Sequence, residues 1–270
     1  MTRLAPLAVI AAALLLPAGC ECRSREQQVP APIVIVAEPP DDLSGFPASP
    51  SATIHDAGHD ARLHTSDDLP MLALHELNED ERRITWKIIR LLQRYYPTWD
   101  EQDETADEHY QRWYDSPEIA RFMETIDRRT ENDRVWPVFF DDVTRKLGRG
   151  VSVQSGAPPG FYVPSFILVA YTEKGRATAV YRLSMLLPLY DYYEVIREPG
   201  RLAQIHLTPR HEDTRRIASV VRPLIAELFP GYRELPPRLG SVLVRTMRAD
   251  NSLLGETSLA QLLFCDVRNW

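Results

Sequence analysis

The sequence predicts an α+β fold in which N-terminal helices precede a mostly antiparallel sheet with one late helix. Apolar residues recur at helical spacing between residues 78 and 126, whereas continuous and alternating apolar runs dominate residues 135–207. A second helical pattern follows near residue 210. Because helices and strands occur in separate blocks and do not alternate, an α+β architecture is favoured over an α/β one.

The composition is that of an ordinary globular chain. The 270 residues are 44% hydrophobic and 26% charged, which suits one large domain and excludes collagen, a coiled coil or a wholly disordered chain. The formal net charge is −7. Because neutralising phosphates requires a basic surface, nucleic acid is not an expected partner.

The first helical element has explicit boundary signals. Asn78 and Glu81 form a capping box, apolar residues follow at helical spacing, and Pro97 stops the pattern. The basic residues of this helix are Arg82, Arg83, Lys87, Arg90 and Arg94. Such a face can bind an anion, although a charged helix face is more often simply solvated.

The second helix restarts at Ser116, the expected N-cap, with Pro117 at the first helical position. Its apolar face contains Ile119, Phe122, Met123 and Ile126. Three aromatic residues precede it, namely Tyr110, Trp113 and Tyr114. They belong either to the core, which is the more common case, or to a platform for a sugar or peptide.

Strands are predicted from the apolar runs that follow Arg134. They cover residues 135–140, 166–172, 177–187, 190–196 and 202–207, with closing strands at 239–247 and 258–267. Turns are expected at 173–175, 198–200 and 249–255, and loops around 151–153 and at Gly231, Pro236 and Pro237. The late helix is expected to run from Pro209 to Phe229, with a kink at Pro223.

Residues 1–19 have the pattern of a secretory signal peptide. Arg3 precedes an apolar run at residues 4–16, and the small residues Ala18 and Gly19 follow. The run is shorter than the about 20 apolar residues that a transmembrane helix needs. The chain is therefore expected to be exported.

The end of this segment, Leu16-Pro17-Ala18-Gly19-Cys20, resembles the lipobox of bacterial lipoproteins. The resemblance implies that Cys20 is the lipid-attachment residue, carrying acyl chains such as palmitate that anchor the protein to a membrane. Pro17 stands where the lipobox usually has Leu, so cleavage by an ordinary signal peptidase stays open. Glu21 follows the cysteine, which by resemblance to Gram-negative sorting favours the outer membrane, facing the periplasm.

Residues 20–68 are predicted to be a flexible tether, and residues 69–270 a single α+β domain. The tether is rich in Pro, Ala, Ser and Asp, and Phe46 is its only aromatic residue. Such a segment cannot bury enough apolar surface to offset its ordering entropy. The β-forming run 33–36 is an exception that could pair with the body or with a partner.

The chain contains three cysteines. If Cys20 carries lipid, Cys22 and Cys265 form an even pair that could make a disulfide in an oxidising compartment. The alternative, which we favour, is that both stay unpaired and that Cys265 is buried in an apolar strand.

The tether contains a histidine-rich tract. His55, His59 and His64 are weak candidates for metal ligands, together with Asp56 and Asp60. The string from His55 to His59 superficially resembles the motifs of histidine–aspartate phosphohydrolases, but the remaining ligands of that family are missing here. In a flexible tether nothing fixes ligand geometry, so a solvated linker is favoured.

Candidates in the body are fewer. His206 and His211 are expected to approach each other between a strand and the late helix. The tract 190–193 (Tyr-Asp-Tyr-Tyr) is either a recognition surface or, as we favour, a strand with tyrosines in the core. The adjacent carboxylates Asp67-Asp68 and Asp141-Asp142 point in different directions and do not make acid–base pairs by themselves.

The sequence contains no G-x-S-x-G, P-loop, G-x-G-x-x-G or H-E-x-x-H motif, so no cofactor is expected. The favoured function is that of a lipid-anchored envelope lipoprotein, a non-enzymatic binding module with a protein partner. An immunity or accessory protein is one such case. The alternatives are a secreted hydrolase, whose histidine–carboxylate or metal site is assembled only in three dimensions, and a structural envelope protein.

Overall fold

The computed structural model describes residues 72–98, 112–156, 163–172, 176–197, 203–249 and 257–264. The helices are α1 (Glu79–Leu92), α2 (Pro117–Asn132), α3 (Val135–Leu147), α4 (Glu212–Leu228), α5 (Pro237–Gly240) and α6 (Leu259–Leu263). The strands are β1 (Val151–Gly156), β2 (Ser165–Thr172), β3 (Ala177–Ser184), β4 (Leu189–Ile196), β5 (Gln204–His206) and β6 (Arg233–Glu234). Within these ranges, no helix combines the length and apolarity needed to span a bilayer.

The sheet has the order β1-β2-β3-β4-β5, in which every neighbouring pair is antiparallel. The short strand β6 pairs parallel with the start of β4. Helices α1, α2 and α3 precede this sheet and α4 follows β5. The predicted α+β class, with helices first and a late helix after a mostly antiparallel sheet, is confirmed.

Local capping signals explain where the first helices begin. The side chain of Asn78 accepts a hydrogen bond from the Glu81 amide at 2.9 Å, and the Asn78 amide donates to the Glu81 carboxylate at 3.1 Å. Ser116 caps α2 by accepting from the Ile119 amide at 3.2 Å. Both helix starts predicted from the sequence are confirmed, because each satisfies backbone donors that lack intrahelical partners.

The main core lies between the helices and one face of the sheet. Trp136 of α3 stacks on Phe166 of β2 with ring centroids 4.9 Å apart, and its indole donates to Ser155 of β1 at 2.8 Å. Phe139 and Phe229 meet edge to face in the same cluster. The opposite face of the sheet has its own buried cluster, formed by Ile167, Val169, Val180 and Tyr193.

The strand predicted at residues 135–140 is wrong, because these residues begin α3. Trp136, Phe139, Val143 and Leu147 recur at helical spacing and are buried together. The Asp133 carboxylate accepts hydrogen bonds from the amides of Val135 and Trp136 at 2.8 and 3.0 Å, which caps the helix. Tertiary packing and this cap outweigh the β propensity of the valines and aromatic residues.

The closing strands predicted at 239–247 and 258–267 are also wrong within the described residues. This region forms α5, two isolated bridges (Leu72 with Val242, Leu243 with Ser258) and α6. A capping box between Ser258 and Gln261 starts α6, with amide-to-side-chain distances of 2.6 and 3.2 Å. Short apolar runs fit a strand and a buried helix equally well, which explains the error.

Several elements begin or end at other residues than the sequence predicts. The loop around 151–153 is strand β1, and Gly231, Pro236 and Pro237 flank β6 and begin α5. The strand predicted at 177–187 ends at Ser184, whose hydroxyl accepts from the Leu186 and Leu187 amides. The strand at 202–207 is described at Gln204–His206, and α4 begins at Glu212, three residues after Pro209. The turns predicted at 173–175 and 198–200, and residues 250–255 of the third, lie outside the described residues.

Candidate functional site

Many of the candidates predicted from the sequence lie outside the described residues. They are Cys20, Cys22, Cys265, His55, His59, His64, the pair Asp67-Asp68 and Tyr110. Of the remaining carboxylates, Asp142 pairs with Arg145 one helical turn away on α3. Asp142 is therefore engaged in an ion pair at the surface.

His206 lies at the end of β5 and His211 at the start of α4, the elements that the sequence predicts for them. His211 caps α4, where its Nδ1 accepts from the Asp213 amide at 3.3 Å and lies 3.7 Å from the Asp213 carboxylate. His206 lies opposite Glu194 in the pairing of β5 with β4. Among the described residues, no three His, Cys, Asp or Glu side chains are grouped to hold a metal ion.

The tract 190–193 belongs to the interior. Tyr190, Tyr192 and Tyr193 are all buried. The interpretation of the tract as a recognition surface is therefore wrong, and its interpretation as core is confirmed. Trp113 is likewise buried and donates to the Arg248 carbonyl at 3.2 Å, whereas Tyr114 is exposed.

A buried polar cluster that the sequence did not reveal joins β4 to α4. The Glu194 side chain is fully buried, and its carboxylate accepts hydrogen bonds from the Arg210 amide at 2.8 Å and the Tyr192 hydroxyl at 3.1 Å. The Thr214 hydroxyl is its third donor. These contacts attach the first turn of α4 to the sheet. With three donors around the carboxylate, the arrangement suits a structural anchor better than a general base.

A second polar pair extends this cluster. Arg222 of α4 contacts Glu234 of β6 at 2.8 Å, and the Tyr190 hydroxyl donates to the same carboxylate at 3.3 Å. Burial raises the pKa of the Glu234 carboxyl above its ordinary value, against the opposing charge of Arg222. The pair therefore ties α4 to the sheet at a second point.

We expect removal of the hydroxyl to have different effects on stability at two neighbouring tyrosines, Tyr181 and Tyr192. Tyr181→Phe should leave the free energy of unfolding unchanged or raise it by up to about 1 kcal/mol, because its buried hydroxyl has no hydrogen-bond partner among the described residues. Tyr192→Phe should lower it by about 1–2 kcal/mol, because Glu194 loses a donor. Urea unfolding of both variants tests this, and equal effects would contradict it.

The outer face of α1 is the strongest candidate for a binding surface. Trp86 is 46% exposed there, although the same helix buries Ile88, Ile89 and Leu92 on its inner side. The described residues that line a groove of about 720 Å³ beside it are Arg83, Trp86, Lys87, Arg90 and Gln93. We call these five residues the α1 basic face. Their spacing of three or four places puts them on one side of the helix.

The basic residues of α1 differ in what they contact. The guanidinium of Arg82 donates to the carbonyls of Leu74 and Leu77 at 3.3 and 3.0 Å, so it holds the chain that enters the helix. Arg83 pairs with Asp80 at 3.0 Å, but both side chains are largely exposed and such pairs contribute little. Arg83 and Arg90 therefore remain accessible to an anionic ligand.

A sequence signal for this site exists. Trp86 falls two positions from Ile84 and Ile88, which places it about 200° around the helix from the apolar stripe. An indole on the polar side of an amphipathic helix is unusual, because burial on the other side would remove it from water.

No protein-family model matches this chain, and no curated protein or solved structure is significantly similar to it. Within the part of the chain that the structure describes, an α+β body carries an accessible surface that combines an indole with cationic side chains. Guanidinium groups bind phosphate and carboxylate, and an indole adds apolar area with a polar edge. The α1 basic face is thus suited to an anionic ligand.

Proposed function

We propose that this chain is a lipid-anchored protein of the bacterial cell envelope that acts by binding through the α1 basic face, not by catalysis. The observation that carries the binding role is the half-exposed Trp86 between Arg83 and Arg90. Large aromatic residues and arginines are the side chains most enriched where proteins bind other molecules.

The polar residues of the body support binding over hydrolysis. The fully buried carboxylate of Glu194 is engaged by three donors. His211 is engaged at the start of α4. A hydrolase site would need an accessible base beside a nucleophile or a metal-bound water. The basic face of α1, by contrast, is accessible.

The anchor is proposed from the N-terminal sequence. Residues 1–19 supply the export signal, and Cys20 is the proposed lipid-attachment residue. A flexible tether of the length of residues 20–68 has an average end-to-end distance of about 40 Å. The body would therefore work close to the membrane surface on the periplasmic side.

Cys20→Ser should abolish incorporation of labelled palmitate and release the protein from the outer membrane. The physical reason is that the acyl chains hold the protein through about 0.8 kcal/mol per buried CH₂ group. The measurement is labelling followed by membrane fractionation of cells that express the full chain. Cys22→Ser is the matched control and should keep both the label and the fractionation. If Cys20→Ser kept the label, the anchor proposal would be wrong.

A further inference from the structure

The α1 basic face has the side chains of a surface that contacts lipid headgroups. Arg83 and Arg90 lie two helical turns apart, about 10 Å along the axis, with Trp86 between them. Guanidinium groups form paired hydrogen bonds with phosphate oxygens. Tryptophan prefers the boundary between lipid headgroups and acyl chains. Exposed basic side chains attract anionic headgroups, and a neighbouring exposed indole can lie at the level of those headgroups.

The position of this face in the chain favours a membrane as its partner. The described residues begin at Leu72, which exchanges backbone hydrogen bonds with Ser241 and Leu243 at 3.0 and 2.9 Å. This fixes the point where the proposed tether joins the body. Helix α1 begins seven residues later, at Glu79. Among the described residues, the first α-helix after the proposed anchor therefore carries the basic face, which the tether would bring to the lipid surface.

The charge of the whole protein strengthens this argument. The chain has a net charge of −7, so an anionic bilayer repels most of its surface. Arg83 and Arg90 are exposed on one side of α1 and offer positive charge there to an anionic surface. Such a distribution selects one orientation at a membrane. An acidic protein partner could bind the same basic side chains. The position of the tether, however, favours a membrane and not such a protein.

We infer that the α1 basic face binds the anionic phospholipid headgroups of the membrane to which the protein is tethered. The inference rests on the proposed function, since the lipid anchor supplies the membrane. The tether sets the distance, and α1 sets the orientation of the body by contacting the bilayer through Trp86, Arg83 and Arg90.

The test uses the mature chain, residues 20–270 with Cys20→Ser, so that neither acyl chains nor the apolar run contribute. Its sedimentation with vesicles of equal parts phosphatidylglycerol and phosphatidylcholine is compared with pure phosphatidylcholine vesicles. We expect binding to the anionic vesicles to be at least about tenfold stronger and to weaken as salt is added. Equal binding to both vesicles would overturn the inference.

Substitutions on α1 test whether the α1 basic face is the part of the protein that contacts the vesicles. Each basic residue near an anionic surface contributes about fivefold in binding, so Arg83→Gln with Arg90→Gln should weaken it by on the order of 20-fold. Trp86→Ala should weaken binding to anionic vesicles several-fold at constant net charge. The matched control is Arg128→Gln with Arg149→Gln, which removes two exposed charges elsewhere on the body. An equal loss in the control would overturn the inference.

Three outcomes separate this inference from the proposed function. If the native chain incorporates palmitate through Cys20 but the mature chain does not bind anionic vesicles, the anchor stands and the lipid contact is wrong. If polyglutamate binds in a Trp86-dependent way and the vesicles do not, the ligand is an acidic polypeptide and the lipid assignment is again wrong. Loss of palmitate labelling in the native chain would instead remove the anchor.

Discussion

Asp191→Ala is expected to lower the free energy of unfolding by about 3–5 kcal/mol, because it removes a carboxylate that pairs with a buried guanidinium. Arg182 and Asp191 lie directly opposite each other on β3 and β4. Two hydrogen bonds join them, one of them from Nε to Oδ1 at 2.9 Å. Their side chains are only 4% and 15% exposed. A buried guanidinium that loses this carboxylate would have to be hydrated or displaced at high cost.

The surroundings of Arg182 leave little room for rearrangement. Its guanidinium lies 5.2 Å from the ring centroids of both Tyr193 and Phe264. These rings stabilise the cation and also exclude water that could replace Asp191. Phe264 is further fixed through its carbonyl, which accepts from Ser165 at 2.6 Å. Loss of Asp191 should therefore destabilise the second face of the sheet and the segment after α6 together.

The measurement is urea unfolding of three variants. Asp80→Ala is the matched control, since it breaks an arginine–aspartate pair whose side chains are 74% and 81% exposed, and it should cost no more than about 1 kcal/mol. The double variant Arg182→Met with Asp191→Leu removes both charges and should recover most of the stability lost in Asp191→Ala. A double variant as unstable as the single one would show that shape, not charge, controls this position.

The parts of the fold that the sequence predicts are those with local physical signals. The starts of α1 and α2 follow from caps that involve residues three positions apart, Asn78 with Glu81 and Ser116 with Ile119. The long apolar run of β2 is also unambiguous. In α3 the helix depends on Trp136 stacking on Phe166 from another element. No local pattern contains that contact, so the strand prediction there failed.

The same distinction between local signals and long-range contacts applies to the candidate site. The exposed indole of Trp86 is predictable, because its place on the polar side of α1 follows from helical periodicity alone. The contacts of Glu194 with Thr214 and of Arg182 with Asp191 depend on strand register and on how α4 packs on the sheet. Such pairings are set by the global arrangement and leave no signature in nearby residues.

Alkaline pH is expected to unfold the body cooperatively, because the packed hydroxyls of three tyrosines are kept neutral in the folded state. Burial raises the pKa of Tyr232 to about 12. Burial also raises the pKa of Tyr181 and Tyr192 far above the ordinary value of 10, and for Tyr192 the charge of Glu194 adds to the effect. The folded state therefore keeps protons that the unfolded chain releases above about pH 10.

The sign of the effect follows from this difference in bound protons. Below pH 10 the folded and the unfolded state both hold the three tyrosine protons, so these groups do not lower the stability. Above pH 10 only the folded state keeps them, and each retained proton lowers the free energy of unfolding by about 1.4 kcal/mol per pH unit. Up to about pH 12, where Tyr232 ionises in the folded state as well, three retained protons give a slope of about 4 kcal/mol per pH unit, so a domain stable by about 5–8 kcal/mol should unfold at about pH 11–12. The tyrosinate absorbance of the buried hydroxyls should appear together with the change in circular dichroism, since their ionisation requires exposure, whereas tyrosines that are already exposed give a separate, earlier absorbance.

Phenylalanine substitutions identify which hydroxyls cause the transition. Tyr181→Phe removes one retained proton and no hydrogen bond, so it should reduce the slope by about one third and move the midpoint to higher pH. Tyr114→Phe, at an exposed position, is the matched control and should leave the midpoint unchanged. If the part of the tyrosinate absorbance that Tyr181→Phe removes rose before the circular dichroism changed, this hydroxyl would be accessible in the folded state. The buried cluster between the sheet and α4 would then open without unfolding, contrary to the packing of Tyr181 against Tyr192 at 5.0 Å.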